Sequence, residues 1–189
     1  GRAPGQEGWN ALDVQMSPIR HYQGGEPFGS LIGYLREISD KQLEYYAQFP
    51  ESYPYKVGDL LGAQGVERSL DLKLRGKEGK EIVWVDAVGR ILKSHSLTAE
   101  EPLPPERGDN LYLTIDGELQ KTAYQALAGK VGAIAVLDSR TGEVLALVSR
   151  PSYDSEQLGA GFSNEYWQKL VQNENKPFLN RTIQAAYPP

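Results

Sequence analysis

The sequence predicts an α+β fold, and three observations predict it. Segments with apolar residues at helical spacing, such as Leu119, Ala123, Ala126 and Leu127, are interleaved with short strand-like runs such as Glu81–Val85 and Val131–Leu137. Turn residues are dense, with 20 glycines and 12 prolines in 189 residues, above the average but below the range of disordered chains. A proline-rich stretch of mixed charge, Leu97–Asp109, divides the chain in two. A chain of this size buries roughly 70% of its unfolded surface, enough for a core.

The elements follow in order. Residues 1–10 carry almost no apolar side chain and read as a leader or linker. Ala11–Met16 alternates loosely, as a strand would, and Gly24-Gly25 makes a turn. Ser30–Ile38 is apolar enough to be buried, with helix and strand both open. Ser39 and Gln42 form a capping box, which predicts a helix from Asp40 to Phe49, ended by Pro50. Val66, Leu70 and Leu74 share one helical face, and Gly76 stops that helix. Glu81–Val85 and Gly89–Lys93 read as a hairpin. After the linker, Leu111–Ile115 reads as a short strand. Asp116 caps a helix that ends at Gly129. Val131–Leu137 and Glu143–Val148 form the clearest hairpin, turning at Asp138–Gly142. Ser163–Val171 is a further helix, and Pro177–Pro189 is irregular.

Composition excludes several chemistries. There is no cysteine, so no disulfide, thiolate nucleophile or cysteine metal site. The histidines are His21 and His95 alone, too few for a histidine-rich metal site. The net charge of −5 and the scattered basic residues argue against nucleic acid as a partner. No apolar run approaches the ~20 residues that cross a bilayer, so any membrane anchor is expected outside this sequence. Motif searches are also negative. Gly76–Lys80 is too short for a phosphate loop, and Gly58, Gly62 and Gly65 lack dinucleotide-binding spacing. Asp138–Glu143 lacks the oxygen ligands of a calcium loop. His95 lies between Ser94 and Ser96 as a polar surface residue, His21 reads as a surface or interface residue, and Glu100-Glu101 is a solvated pair. The residues alone therefore assign no catalytic, cofactor-binding or metal-binding side chain.

Two longer patterns go further. Leu113-Thr-Ile-Asp-Gly-Glu-Leu-Gln120 and Gly132–Asp154 resemble the opening of the transpeptidase domain of penicillin-binding proteins. Pro177–Pro189, with Arg181, resembles the approach to the catalytic serine of that family. There a Gly-Ser-Thr-x-Lys sequence typically follows; its serine attacks a D-Ala-D-Ala carbonyl and the lysine of S-x-x-K assists. The first half resembles the non-catalytic, dimerisation-type pedestal of class B members. Arg20, Tyr22 and Gly33-Tyr-Leu35 match its early segment. Tyr55–Glu67 matches its glycine-rich turn and Gly-hydrophobic-Glu helix, and Leu74–Gly79 its L-x-G-x-x-G exit. Val85–Arg90 matches its hairpin.

The resemblance implies a β-rich pedestal at 11–108 and, from 109 to 189, the first strands and helices of a transpeptidase domain, truncated before the nucleophile. It marks Arg20, Tyr22, Gly33, Gly58, Gly62, Gly65, Glu67, Gly76, Asp116 and Arg181 as structural or interdomain motif positions. It leans toward elongation-type members over division-type ones. It implies RodA-type glycosyltransferase and MreC-type scaffold partners, and, for a full-length parent, peptidoglycan stem peptides and β-lactams. It places the parent at the periplasmic face of the bacterial inner membrane and implies no cofactor. No serine here has lysine three positions on, and S-x-N and K-[ST]-G are absent, so this sequence by itself is expected to be inactive. The family's R-G-x-I-x-D-R-N-G signature is absent too; its arginine pairs with the glutamate matching Glu67, which is thus expected to lack that partner. The near-continuous apolar run of the Gly132–Val148 hairpin predicts burial on both faces. One face should then be left for another chain to cover, or the hairpin be poorly ordered.

Overall fold

The computed structural model describes residues 20–49, 55–79, 84–85, 91–92, 103–159 and 163–185. The leader, the Ala11–Met16 segment, the turn at 86–90, His95 and Glu100-Glu101 lie outside them.

Ser30–Ile38 resolves into both of its alternatives. Helix α1 (Glu26–Ile32) starts after Gly25, with Pro27 in its first turn, and stops at Gly33. Strand β1 (Leu35–Glu37) follows and pairs antiparallel with β2 (Leu60–Gly62), Leu35 opposite Gly62. Between them α2 (Asp40–Tyr46) begins at the predicted capping box. Gln42 Oε1 accepts from the Ser39 backbone N–H at 3.1 Å and from its hydroxyl at 2.8 Å. The helix ends sooner than expected, in a tight turn where the Phe49 N–H donates to the Tyr46 carbonyl at 2.9 Å.

The predicted helix from Val66 to Leu74 is broken into α3 (Gly65–Ser69) and α4 (Asp71–Leu74). Leu70 leaves helical geometry at φ −124°, ψ 21°. At that break the buried Asp71 carboxylate turns inward, accepting from the Gly62 N–H at 2.9 Å and the Tyr55 hydroxyl at 2.6 Å. The expected hairpin appears as β3 (Trp84–Val85) paired antiparallel with β4 (Ile91–Leu92).

The described part of the proline-rich linker is pinned down, not free. Lys77 and Glu106 exchange both backbone hydrogen bonds at 3.0 Å, and the Asp109 N–H donates to the Lys73 carbonyl at 2.7 Å. Leu111–Ile115 is no strand. No strand pairs with it among the described residues, and Leu111, Tyr112 and Leu113 are exposed. Its tie is the Thr114 hydroxyl, which donates to the Val144 carbonyl at 2.6 Å.

In the second half, α5 (Gly117–Ala126) packs on β5 (Gly132–Leu137) and β6 (Val144–Arg150), which pair antiparallel with Ile134 opposite Val148. Ala123, Tyr124, Ala146 and Val148 form one core, flanked by Leu119, Leu127, Ile134 and Val136. Burial on both faces is not observed. The alternate residues Ala133, Ala135 and Leu137 of β5 are exposed, because α5 covers one face only. The hairpin pairs from Gly132 opposite Arg150 to Leu137 opposite Val144, with one irregularity between Val136 and Leu137. The chain continues through α6 (Ser155–Leu158) and α7 (Asn164–Val171). A second core joins both halves: Tyr34 with Tyr153, Leu158 and Leu170, against which Ala63, Trp167 and Phe178 pack.

Candidate functional site at the junction of the two halves

Arg20, His21 and Tyr22 run as a strap between the halves. Arg20 Nε lies 3.4 Å from Glu67 Oε1, and an Arg20 NH2 group donates to the Leu74 carbonyl at 2.8 Å. The signature arginine is absent from the sequence, yet Glu67 is not without a cation: Arg20, from the early segment, stands beside it. One residue on, His21 Nδ1 meets Glu156 Oε1 at 3.1 Å, and the Tyr22 N–H donates to Glu156 Oε2 at 2.5 Å. These contacts, the Tyr22 amide first, hold the Glu156 carboxyl below its ordinary value. His21 is exposed at the surface and meets Glu156 across the two halves, so both readings of it apply.

Glu67 is 5% exposed. Burial pushes its carboxyl above the ordinary value, while the Arg20 guanidinium and the nearby Tyr22 hydroxyl pull it down and Asp71 pushes it up. Burial, then the Glu67 charge, raises the Tyr22 hydroxyl in turn. Neither the Tyr22 hydroxyl nor Glu67 Oε2 completes a hydrogen bond of good geometry.

The glycines serve separate purposes. Gly33, at φ 85°, and Gly65, at φ 60°, let the end of α1 touch the start of α3: a Cβ on Gly33 would overlap the Gln64 carbonyl, and one on Gly65 the Leu31 carbonyl. Gly62 lies against the Glu67 carbonyl, Gly76 against the Glu106 carbonyl, and Gly58 at an open turn. Asp116 sits apart at the head of α5, where Oδ1 accepts from the Glu118 and Leu119 N–H groups at 2.9 Å.

Arg181 is nearly buried and binds a loop. Its NH1 group donates to the Lys176 and Leu179 carbonyls at 3.2 and 3.3 Å, and its NH2 group to the Asn175 carbonyl at 2.5 Å. Its own N–H donates to the Ser149 hydroxyl at 3.1 Å, which donates to the Leu179 carbonyl at 3.1 Å. The segment is also tied to the first half, because Asn180 Nδ2 donates to the Ser30 carbonyl at 3.1 Å.

Sequence reasoning missed Gln64, Gln120, Tyr153 and Asn180. Gln64 Nε2 donates to the Phe178 carbonyl at 3.2 Å, and Gln64 Oε1 accepts from the Tyr153 hydroxyl at 3.0 Å. Gln120 is fully buried: Nε2 donates to the Pro27 and Leu147 carbonyls at 2.7 and 2.9 Å, and Oε1 accepts from the Leu147 N–H at 2.8 Å. One signal was available for Gln120, a polar residue on the same helical face as Ala123, Tyr124 and Leu127. Among the described residues no group of three or more His, Cys, Asp or Glu side chains could hold a metal. Chemically the described residues of the junction position backbone.

Comparison with known proteins identifies both halves of the chain. The model for the penicillin-binding protein dimerisation domain matches residues 5–113, and that for the penicillin-binding protein transpeptidase domain matches 132–189. The peptidoglycan D,D-transpeptidase MrdA of Acinetobacter baumannii is 39% identical over 178 residues, covering 94% of this chain and 25% of that protein. MrdA of Escherichia coli K12 is 35% identical over 178 residues, covering 94% of this chain and 27% of its own length. The chain thus spans about a quarter of these curated relatives. Among solved structures, penicillin-binding protein 2 in a complex with MreC from Helicobacter pylori superposes with a TM-score of 0.71 at 31% identity, covering 90% of this chain and 30% of that one. Pseudomonas aeruginosa penicillin-binding protein 2 in complex with WCK 5153 gives 0.59 at 28% identity, covering 89% and 30%. With a pedestal strapped and packed onto the opening of a second domain, and both domain models matched in that order, the chain belongs to the penicillin-binding protein family.

Proposed function

We propose that this chain is the pedestal, residues 11–108, and the opening of the catalytic domain, residues 109–189, of a peptidoglycan D,D-transpeptidase of cell-wall elongation. The full-length enzyme cross-links stem peptides at the periplasmic face of the inner membrane, maintains cell shape and is acylated by β-lactams. What supports this reading is the succession of the two domain models along the chain, at 5–113 and 132–189. The motif positions then serve structurally: Arg20 and Glu67 brace the pedestal, Tyr22 reaches Glu156 in the second domain, and Arg181 ties the segment that ends at Pro189. The activity itself needs a serine with lysine three positions on, which this sequence lacks. Labelling with a fluorescent penicillin tests the proposal. This chain should stay unlabelled, while the full-length protein encoded by the same gene is acylated at a serine beyond Pro189. Covalent label on this chain overturns it.

A second reading is that the pedestal binds partners, an MreC-type scaffold and a RodA-type glycosyltransferase. It is favoured by the Helicobacter pylori neighbour, whose structure holds MreC. It is favoured too by Tyr45, a large ring 58% exposed on α2. Pull-down of the cognate MreC-type protein should weaken on Tyr45→Asp; undiminished capture removes this face from the reading.

A further inference from the structure

Gln64 occupies the N-cap position of α3, in extended conformation at φ −149°, ψ 173°, and its side chain makes no capping bond. A glutamine there is a poor choice for capping, where Ser, Thr, Asp and Asn lead. Its amide is spent across the junction instead. The donor end takes the Phe178 carbonyl and the acceptor end the Tyr153 hydroxyl, so one planar group fixes two parts of the second half at once.

The surroundings stiffen this fork. The Phe178 ring lies 5.2 Å from Tyr153, 5.1 Å from Trp167 and 6.0 Å from Tyr34, centroid to centroid. Such ring contacts resist sliding because their preferred offsets are specific. On the pedestal side, Gln64, Tyr34 and Arg36 line a cavity of about 240 Å³ together with Glu37 and Gln42. Arg36 also lies over the Trp167 ring at 5.9 Å. Three of the residues bordering this cavity, Tyr34, Arg36 and Gln64, thus also touch the second half. Two and three residues after Phe178, Asn180 ties this segment to Ser30 of the first half and Arg181 ties it to Ser149 of the second.

We propose that Gln64 is a positioning residue: its amide sets the backbone at Phe178–Arg181 and, through it, the placement of the nucleophile that follows in the full-length enzyme. The inference rests on the transpeptidase reading above. Displacing a reacting group by about 1 Å costs up to roughly 100-fold in rate. The Phe178 carbonyl lies more than ten residues upstream of the chain end, so a partial loss is expected.

The test is the acylation kinetics of the full-length protein with a fluorescent penicillin. Gln64→Leu keeps the side-chain bulk and removes both bonds. It should slow acylation at saturating penicillin about 10-fold, with the apparent binding constant changed less than about threefold. Tyr153→Phe keeps the ring cluster and removes one of the two bonds, so it should slow acylation by about threefold. The double variant should lose less than the product of the two effects, because both act through the same amide. A merely structural role would lower the melting temperature and the fraction labelled while leaving the rate per labelled molecule unchanged. Rates within about twofold of wild type for the folded variants overturn the inference. Should Gln64→Leu fail to fold, Tyr153→Phe decides in the same way. Absence of acylation in the wild-type protein instead overturns the transpeptidase reading, and with it this inference.

Discussion

Glu67 keeps a carboxylate in a place that charge would ordinarily avoid. It is 5% exposed, and burial outweighs the pull of Arg20, so its carboxyl titrates above the ordinary 4.5. A raised folded-state value has a definite sign. The folded state binds the proton more tightly than the unfolded chain, so this contribution is complete below about 4.5 and is lost as pH rises through the higher folded value. Glu67→Gln removes that dependence. Melting temperatures of wild type and variant, measured between pH 4 and pH 7, should therefore shift in favour of the variant as pH rises; a parallel pair of curves contradicts the assignment. Glu67, in its Gly-hydrophobic-Glu motif, and Arg20, in the early segment, were each legible as motif positions, but their pairing was not. Arg20 lies 47 positions away, and nothing local to either residue announces the pairing. Gln64 was illegible for a related reason: its partners, Tyr153 and Phe178, are 89 and 114 positions away.

Elements with strong local signals came out where the sequence put them. The Ser39 box and the Asp116 cap each open a helix, because capping is decided within four residues. Elements that need a distant partner did not. Leu111–Ile115 has strand-like composition, but a strand exists only where another pairs with it. The single helix expected at Val66–Leu74 broke where Asp71 serves Gly62 and Tyr55. The seat of α5 on β6 depends on another such long-range link, Gln120. Gln120→Leu would leave the Leu147 N–H and C=O and the Pro27 carbonyl without their partner. The expected loss is about 3 kcal/mol in urea denaturation. A loss below about 1 kcal/mol would mean that water replaces the amide.

At the scale of the molecule, the boundary drawn at residue 109 separates sequence more cleanly than structure. Helix α1 belongs to the first half by order, yet it is seated on the second. Its Pro27 carbonyl takes Gln120, its Glu26 carboxylate accepts from the Tyr124 hydroxyl at 2.8 Å, and its Ser30 N–H donates to the Ser152 hydroxyl at 3.1 Å. Gly29 lies so close to the Tyr153 carbonyl that a Cβ would overlap it. Residues 109–189 alone should therefore fail to unfold cooperatively in calorimetry. A chain that joins 20–38 to them through a flexible linker should recover a single transition; cooperative melting of 109–189 without α1 would contradict this dependence. Gln120 has one more consequence. Its amide imitates a peptide group: it gives and takes one hydrogen bond at Leu147, as a neighbouring strand would, and the Asp116 N–H fills the Leu145 carbonyl beside it at 2.9 Å. The outer margin of β6 is thereby plugged, so a sheet growing from this hairpin can extend in one direction only, past the exposed flank of β5.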